Sequence, residues 1–333
     1  MIKQNISLKK YNTFGIDAKT RFFSEILNEK DLIEKIKKCK KTPFRILGEG
    51  SNILLTKDYK GYTFIIKNKG INIIQENESE IVVEVQAGEN WHNFVLWALE
   101  KNYAGIENLA FIPGSVGAAP IQNIGAYGVE LKTVFKSCRA LEIETLTFKI
   151  FNKEDCDFEY RSSIFKKQFK EKIIITSVCF VLHKPPHKIN TDYDPLKNAL
   201  KGKKNTIQNI ANAVINVRKS KLPDPSKIGN SGSFFKNPII NKDKFLELKN
   251  KYPDIPNFFE PYNKIKIPAA WLIEKIGYKG KRFGHAGIHN KQALVIVNYG
   301  NAKGSDILML ANQIKEKILI HFGIKLEFEV NLF

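Results

Sequence analysis

Two glycine-rich stretches, one arginine among apolar neighbours, a serine on a glycine turn and a pair of glutamates could do chemistry in this 333-residue chain. The first stretch is Leu47-Gly48-Glu49-Gly50-Ser51-Asn52-Ile53-Leu54-Leu55. It begins like G-x-G-x-x-G, but Ile53 stands where the third glycine belongs, and an apolar strand follows rather than a helix. A Rossmann site is therefore not expected. A strand–loop–strand with two glycines either exposes a nest of backbone N–H groups for a phosphate or is an ordinary hairpin turn. The second stretch runs from Ile112 to Gly128 and holds four glycines, three alanines and two prolines in seventeen residues. That composition defeats helix and regular strand alike. Small residues at this density let backbone approach something flat and large, such as a flavin and its pyrophosphate.

Arg161 lies in Glu159-Tyr160-Arg161-Ser162-Ser163-Ile164-Phe165 and wants an anionic partner, unless it is simply a surface residue. Ser233, in Gly229-Asn230-Ser231-Gly232-Ser233-Phe234-Phe235, does not meet G-x-S-x-G, and no histidine can be assigned to it, so a hydrolase nucleophile is not expected. Leu326-Glu327-Phe328-Glu329-Val330 alternates, which predicts a strand with both glutamates on one face, where such pairs are ordinarily solvated.

The elements that must position these residues read as α+β. The periodicity predicts a helix over 31–39 and strands over 44–47, 53–55 and 62–66. Strand-like runs then dominate from about 70 to 182, interrupted by a helix over 91–102. Residues 184–205, rich in Pro and Lys, read as an exposed excursion. Helices over 206–219, 268–277 and 303–321 and a strand over 293–297 form a further α/β unit. The expected division is 1–68, 69–205 and 206–333, with the last strand free to return to the first part.

Composition limits the function classes. No apolar run reaches the ~20 residues of a membrane span. Met1-Ile2-Lys3-Gln4-Asn5 does not open a signal peptide, so a cytoplasmic protein is expected. The four cysteines, Cys39, Cys138, Cys156 and Cys179, are too scattered for a zinc site or a disulfide framework, and no metal is expected. The net charge of +19 raises the question of nucleic acid. The lysines are dispersed among Ile and Asn, however, and clusters such as Lys201-Gly202-Lys203-Lys204 read as solvated loop tips. Without a nucleic-acid-binding motif, no nucleic-acid partner is expected.

Taken together, these segments resemble the UDP-N-acetylenolpyruvoylglucosamine reductase (MurB) family over about residues 10–332. Tyr11-Asn12-Thr13-Phe14-Gly15, the 47–52 run and the 112–131 run look like its FAD-binding half. Tyr160-Arg161-Ser162-Ser163, Gly232-Ser233-Phe234-Phe235-Lys236-Asn237-Pro238 and Leu326–Val330 look like its catalytic segments, and 268–273 and 289–295 like its substrate-domain core. The resemblance implies a two-part FAD-binding fold of the vanillyl-alcohol-oxidase-like (PCMH) type plus a C-terminal α/β substrate-binding domain. It implies non-covalent FAD, NADPH as hydride donor, reduction of an enolpyruvyl UDP-sugar to UDP-N-acetylmuramate, and a monomer without membrane attachment. Cofactor contacts are implied at Gly48, Gly50, Ser51, Asn52, Gly114, Ser115, Gly117, Ala118, Pro120, Ile121, Asn123, Gly125 and Tyr127. Arg161 and Glu329 match positions that stabilise the enolate left by hydride transfer, Glu329 either protonated or through a hydrogen bond. Ser233 matches the residue that protonates the substrate carbon C2. Tyr193, Lys221, Asn237 and Gln292 match UDP-sugar contacts, Tyr193 on an inserted lid loop that marks one subgroup. That loop reads Tyr193-Asp194-Pro195-Leu196, where the family has glycine after the tyrosine. The rivals are another FAD-linked oxidoreductase of this fold and a basic nucleic-acid-binding protein.

Overall fold

The structure is a computed structural model that describes residues Met1–Phe333. The chain forms two compact units. The first comprises Met1–Ile6, Thr20–Glu49 and Tyr59–Ser220, the second Ser7–Lys19, Gly50–Asp58 and Lys221–Phe333. The boundary thus crosses the first glycine loop between Glu49 and Gly50.

In the first unit, a four-stranded sheet has the order Lys3–Ser7, Lys19–Ile26, Tyr59–Ile66, Phe44–Leu47, with the last three strands parallel. Parallel neighbours need a crossover. Helix α1 (Glu29–Cys39) follows Ile26 and leads to Phe44, and the Asn28 side chain caps it by accepting from Asp31 N. Its buried stripe, Leu32, Ile36 and Cys39, packs with Ile26, Phe64 and Ile66.

The 70–182 region is mainly β, as its patterning predicts. Five antiparallel strands run in the order Thr147–Asn152, Phe135–Glu142, Ile173–His183, Glu80–Gln86, Ile71–Glu76. Helix α2 (Trp91–Glu100) buries Trp91 and Phe94 against Phe180 on one face, while Leu141 and Ile174 join the α1 cluster. Covered on both sides, Ile173–His183 reads as a near-continuous apolar run.

Residues 184–205 depart from the expected exposed excursion. Tyr193 leads into helix α3 (Asp194–Ala199), with Pro195 in its first turn, where a missing N–H costs nothing. Leu196 is 0% exposed and Leu200 5%, both in the core beside helix α4 (Ile207–Lys221). The i, i+4 leucines fold this segment down despite its lysines.

The second unit is built on the antiparallel sheet Gly229–Ser233, Val295–Asn298, Ala286–Ile288, Arg282–Phe283. Helices α5 (Lys242–Lys251), α6 (Ala269–Lys275) and α7 (Gly304–Phe322) and a small sheet of Ile239–Asn241, Lys264–Lys266 and Phe258–Glu260 complete it. Residues 326–330 are not the expected strand. Phe328 makes an isolated bridge to Phe235, and the strand proper is Asn331–Leu332, parallel to Ile53–Leu54. Phe328 packs on Phe234 and Phe235, so aromatic contact fixes this segment in place of a strand ladder.

Candidate active site

The first glycine loop is no hairpin, because the strands on either side of it belong to different sheets. Gly48 is small for a local reason: a Cβ there would lie 2.3 Å from Ser115 Oγ. Glu49 ties the two glycine stretches together, accepting from Asn90 Nδ2 at 2.8 Å and from Gly114 N at 3.1 Å. Ser115 precedes two short 3-10 turns, Val116–Ala118 and Pro120–Gln122. Gly117 packs where a Cβ would meet Ala87 Cβ at 2.4 Å, and the Ile121 carbonyl accepts from buried Ser163 Oγ. Asn123, 0% exposed and left-handed (φ 44°), gives both amide protons to Glu130 and Glu159 O and accepts from Lys132 N. Its side chain is a bracket for the loop.

Arg161 also has a left-handed backbone (φ 54°). Its Nη2 donates to Gly125 O at 2.6 Å, and a Cβ at Gly125 would come within 2.9 Å of Nη1. Tyr127 (φ 50°) meets Tyr193 edge-on, ring centroids 5.5 Å apart. Buried Asn108 holds the Tyr127 and Asn190 carbonyls. Arg218, on α4, donates from Nε to Phe111 O at 3.0 Å. Burial, with Arg161 nearby, lowers its pKa, while Tyr127 opposes the shift. Sequence reasoning missed Arg218: Arg218-Lys219-Ser220-Lys221 reads as one more basic helix end.

In the second unit, Ser233 ends the strand Gly229–Ser233, half-buried, and its hydroxyl has no protein partner. Glu329 is half-buried rather than solvated. Its N–H donates to Phe234 O and its carbonyl accepts from Asn52 Nδ2, so backbone bonds bring it beside the Ser233–Phe234 segment. Glu327, by contrast, points outward and pairs with Lys236. Asn237 and Gln292 share one device. The Asn237 oxygen accepts from Ala269 N (2.9 Å) and the Gln292 oxygen from Leu294 N (3.3 Å), leaving each NH₂ to donate outward. Lys221 is exposed, at the end of α4, without an ion-pair partner.

Residues 224–333 match the family model for the UDP-N-acetylenolpyruvoylglucosamine reductase C-terminal domain, and residues 23–147 match an FAD binding domain. The UDP-N-acetylenolpyruvoylglucosamine reductase of Flavobacterium johnsoniae is 49% identical over 99% of both chains. That of Amoebophilus asiaticus is 46% identical over 99% of both. The chain belongs to the UDP-N-acetylenolpyruvoylglucosamine reductase family. A crystal structure of the Thermus caldophilus reductase, 22% identical, matches with a TM-score of 0.71 and covers 100% of each chain, in agreement on the fold.

The donor set fits the FAD this family's N-terminal fold is built for. The amides of Glu49 and Gly50 have no protein acceptor, and the Ser115 hydroxyl has none either. Such donors on a loop of small residues suit a diphosphate. The acidic side chain among them, Glu49, is already committed to Asn90 and Gly114.

Proposed function

We infer that this protein is an FAD-dependent oxidoreductase that reduces the enolpyruvyl group of UDP-N-acetylglucosamine enolpyruvate to UDP-N-acetylmuramate, with NADPH as hydride donor. The reading extends to a monomer in the cytoplasm that acts on a UDP-sugar rather than nucleic acid and serves peptidoglycan synthesis, and through it cell shape and division. Full-length identity to the curated reductases supports the reaction. The observation within the site that carries it is Ser233, a half-buried hydroxyl with no hydrogen-bond partner in the protein.

Bound FAD supplies the two-electron relay between nicotinamide and enol ether. The chain's own residues manage charge and protons. Hydride arriving at C3 of the enolpyruvyl group pushes an electron pair toward its carboxylate, and the Arg161 guanidinium stabilises that enolate, with Glu329 assigned to the same intermediate. Ser233 gives its proton to C2. A hydroxyl is a feeble acid in water, but an enolate carbon is basic enough to take the proton when positioned. Lys221 and the outward amides of Asn237 and Gln292 are assigned to the UDP-sugar, and Tyr193 to covering it. The loops around Gly48–Asn52 and Gly114–Tyr127 are assigned to FAD.

An absorption spectrum tests the whole reading. Flavin bands that bleach with anaerobic NADPH and return with the enolpyruvyl UDP-sugar establish the reaction. Bands that bleach but ignore the sugar keep the flavoenzyme and reject the substrate. A protein that neither carries nor takes up FAD rejects both.

A further inference from the structure

Phe111, the residue that leads into the second glycine stretch, has a left-handed backbone (φ 60°), a conformation that a bulky side chain resists. Such strain persists where the surroundings over-determine it. Three side chains hold this one residue. Its amide donates to His92 Nδ1 at 3.0 Å, and its carbonyl accepts from Arg218 Nε at 3.0 Å. Its ring meets the His92 imidazole edge-on, centroids 5.4 Å apart, and the Lys219 ammonium lies 5.4 Å from the ring centroid.

The first turn of α2 also holds the residues on either side. Trp91 Nε1 donates to Leu109 O at 2.9 Å, and Trp91 N donates to Gly114 O at 2.8 Å. Residues 109–114 are thus pinned at both ends by Trp91 and in the middle by His92. The two Trp91 bonds are indifferent to pH. The His92 bond is not, because Nδ1 accepts only in the neutral imidazole, and both ring nitrogens of the imidazolium are donors. Its surroundings favour the neutral ring. His92 is the second residue of α2, where the positive end of the helix opposes a cation, and it is half-buried. The charged groups that bear on it, Lys219 and Arg218, both belong to α4 and are both cationic.

We propose that His92 is a positioning residue for the flavin: its neutral imidazole holds Phe111 so that the 112–128 stretch is shaped to receive FAD, and protonation of that imidazole loosens loop and cofactor together. This rests on the assignment of that stretch to FAD and deepens it. His92 acts through the Phe111 amide rather than on the reacting atoms. FAD retention then depends on pH. Tight binding requires the unprotonated ring, so affinity is constant above pH 6.5 and falls on acidification through the lower value that the folded protein imposes.

The test is the dissociation constant for FAD, measured by flavin fluorescence between pH 5 and 8. The full chain stripped of cofactor is compared with His92→Asn and His92→Leu, and circular dichroism at each pH establishes that folded protein is being compared. The asparagine oxygen can replace Nδ1 as acceptor and does not titrate. In wild type the constant is expected to be flat above pH 6.5 and to rise about 10-fold by pH 5. In His92→Asn it stays within about threefold of the wild-type value at pH 8 and flat across the range. In His92→Leu, which leaves the Phe111 amide without an acceptor, it is raised about 10-fold already at pH 8. A wild-type profile that coincides with that of His92→Asn overturns the proposal. So does a His92→Leu that binds FAD as tightly as wild type at pH 8, or a His92→Asn no better than His92→Leu. A merely structural role would lower the melting temperature and leave the FAD profiles parallel. A wild type that takes up no FAD at any pH removes the FAD assignment itself. Should His92→Leu fail to fold, the profiles of wild type and His92→Asn decide alone.

Discussion

Ser233, Asn237 and Gln292 each keep one polar function for something other than protein, and each supports a separable test. Ser233→Ala removes only the proton, so reoxidation of reduced flavin by the sugar is expected to slow about 10²- to 10⁴-fold. Flavin reduction by NADPH stays near wild type, and equal loss in both stopped-flow half-reactions would rule out the proton-donor role. Asn237→Asp keeps the oxygen that accepts from Ala269 N and replaces the outward NH₂ by a second oxygen. The fold is retained, and the KM for the UDP-sugar is expected to rise about 10- to 100-fold, because an anion now faces a diphosphate. An unchanged KM would take Asn237 out of the substrate site. His92 gives a pH dependence. Burial first, then Lys219 and Arg218, lower its pKa below the ordinary 6.5, and its Nδ1 must stay unprotonated to accept from Phe111 N. The unfolded chain therefore binds the proton more readily. This contribution is fully present above pH 6.5 and is lost as pH falls through the lower, folded value. Thermal melts between pH 5 and 8 should show it in wild type and not in His92→Gln, and parallel curves would dismiss it.

At the scale of elements, the glycine loops owe much of their composition to one another. Gly48 makes room for Ser115, Gly117 for Ala87, and Gly125 for Arg161. Gly48→Ala is expected to cost about 1–3 kcal/mol by overpacking and to lower bound FAD. Adding Ser115→Ala removes the atom 2.3 Å from the new Cβ, so the melting temperature should recover in the double variant. If the two changes simply add, the contact is not what matters. Helix α3 shows the converse, a segment of polar composition ordered by two leucines. Periodicity over six residues is too short to announce a helix against a background of lysine and proline.

The whole molecule is partitioned in a way that sequence order does not suggest. The second unit takes Ser7–Lys19 and Gly50–Asp58 from the N-terminal sixty residues. Phe14 is fully buried there against Phe234, Asn298 Nδ2 donates to its carbonyl, and Gly229 lies where a Cβ would meet that carbonyl at 2.2 Å. Asn331–Leu332 needs Ile53–Leu54 as its strand partner. A fragment of residues 221–333 should therefore show no cooperative thermal transition, despite matching a C-terminal domain model over most of its length. A sharp two-state melt of that fragment would contradict it.

Local patterning alone made much of this protein legible. Helices α1, α2, α4 and α7 and the strands between 44 and 182 follow from apolar spacing, and the 112–128 stretch stands out because its density of Gly, Ala and Pro is incompatible with a long helix or strand. The tertiary structure decided matters of partnership. It ordered Phe328 through Phe234 and Phe235 rather than through a strand, gave the Asn237 oxygen the distant Ala269 N–H as its partner, and tied the Arg218 guanidinium to the Phe111 carbonyl. Spacing along a chain carries periodicity. It does not carry which distant carbonyl will face a side chain, and on that depends whether a basic residue such as Arg218 is one more solvated cation or a tie to a loop far away in the chain.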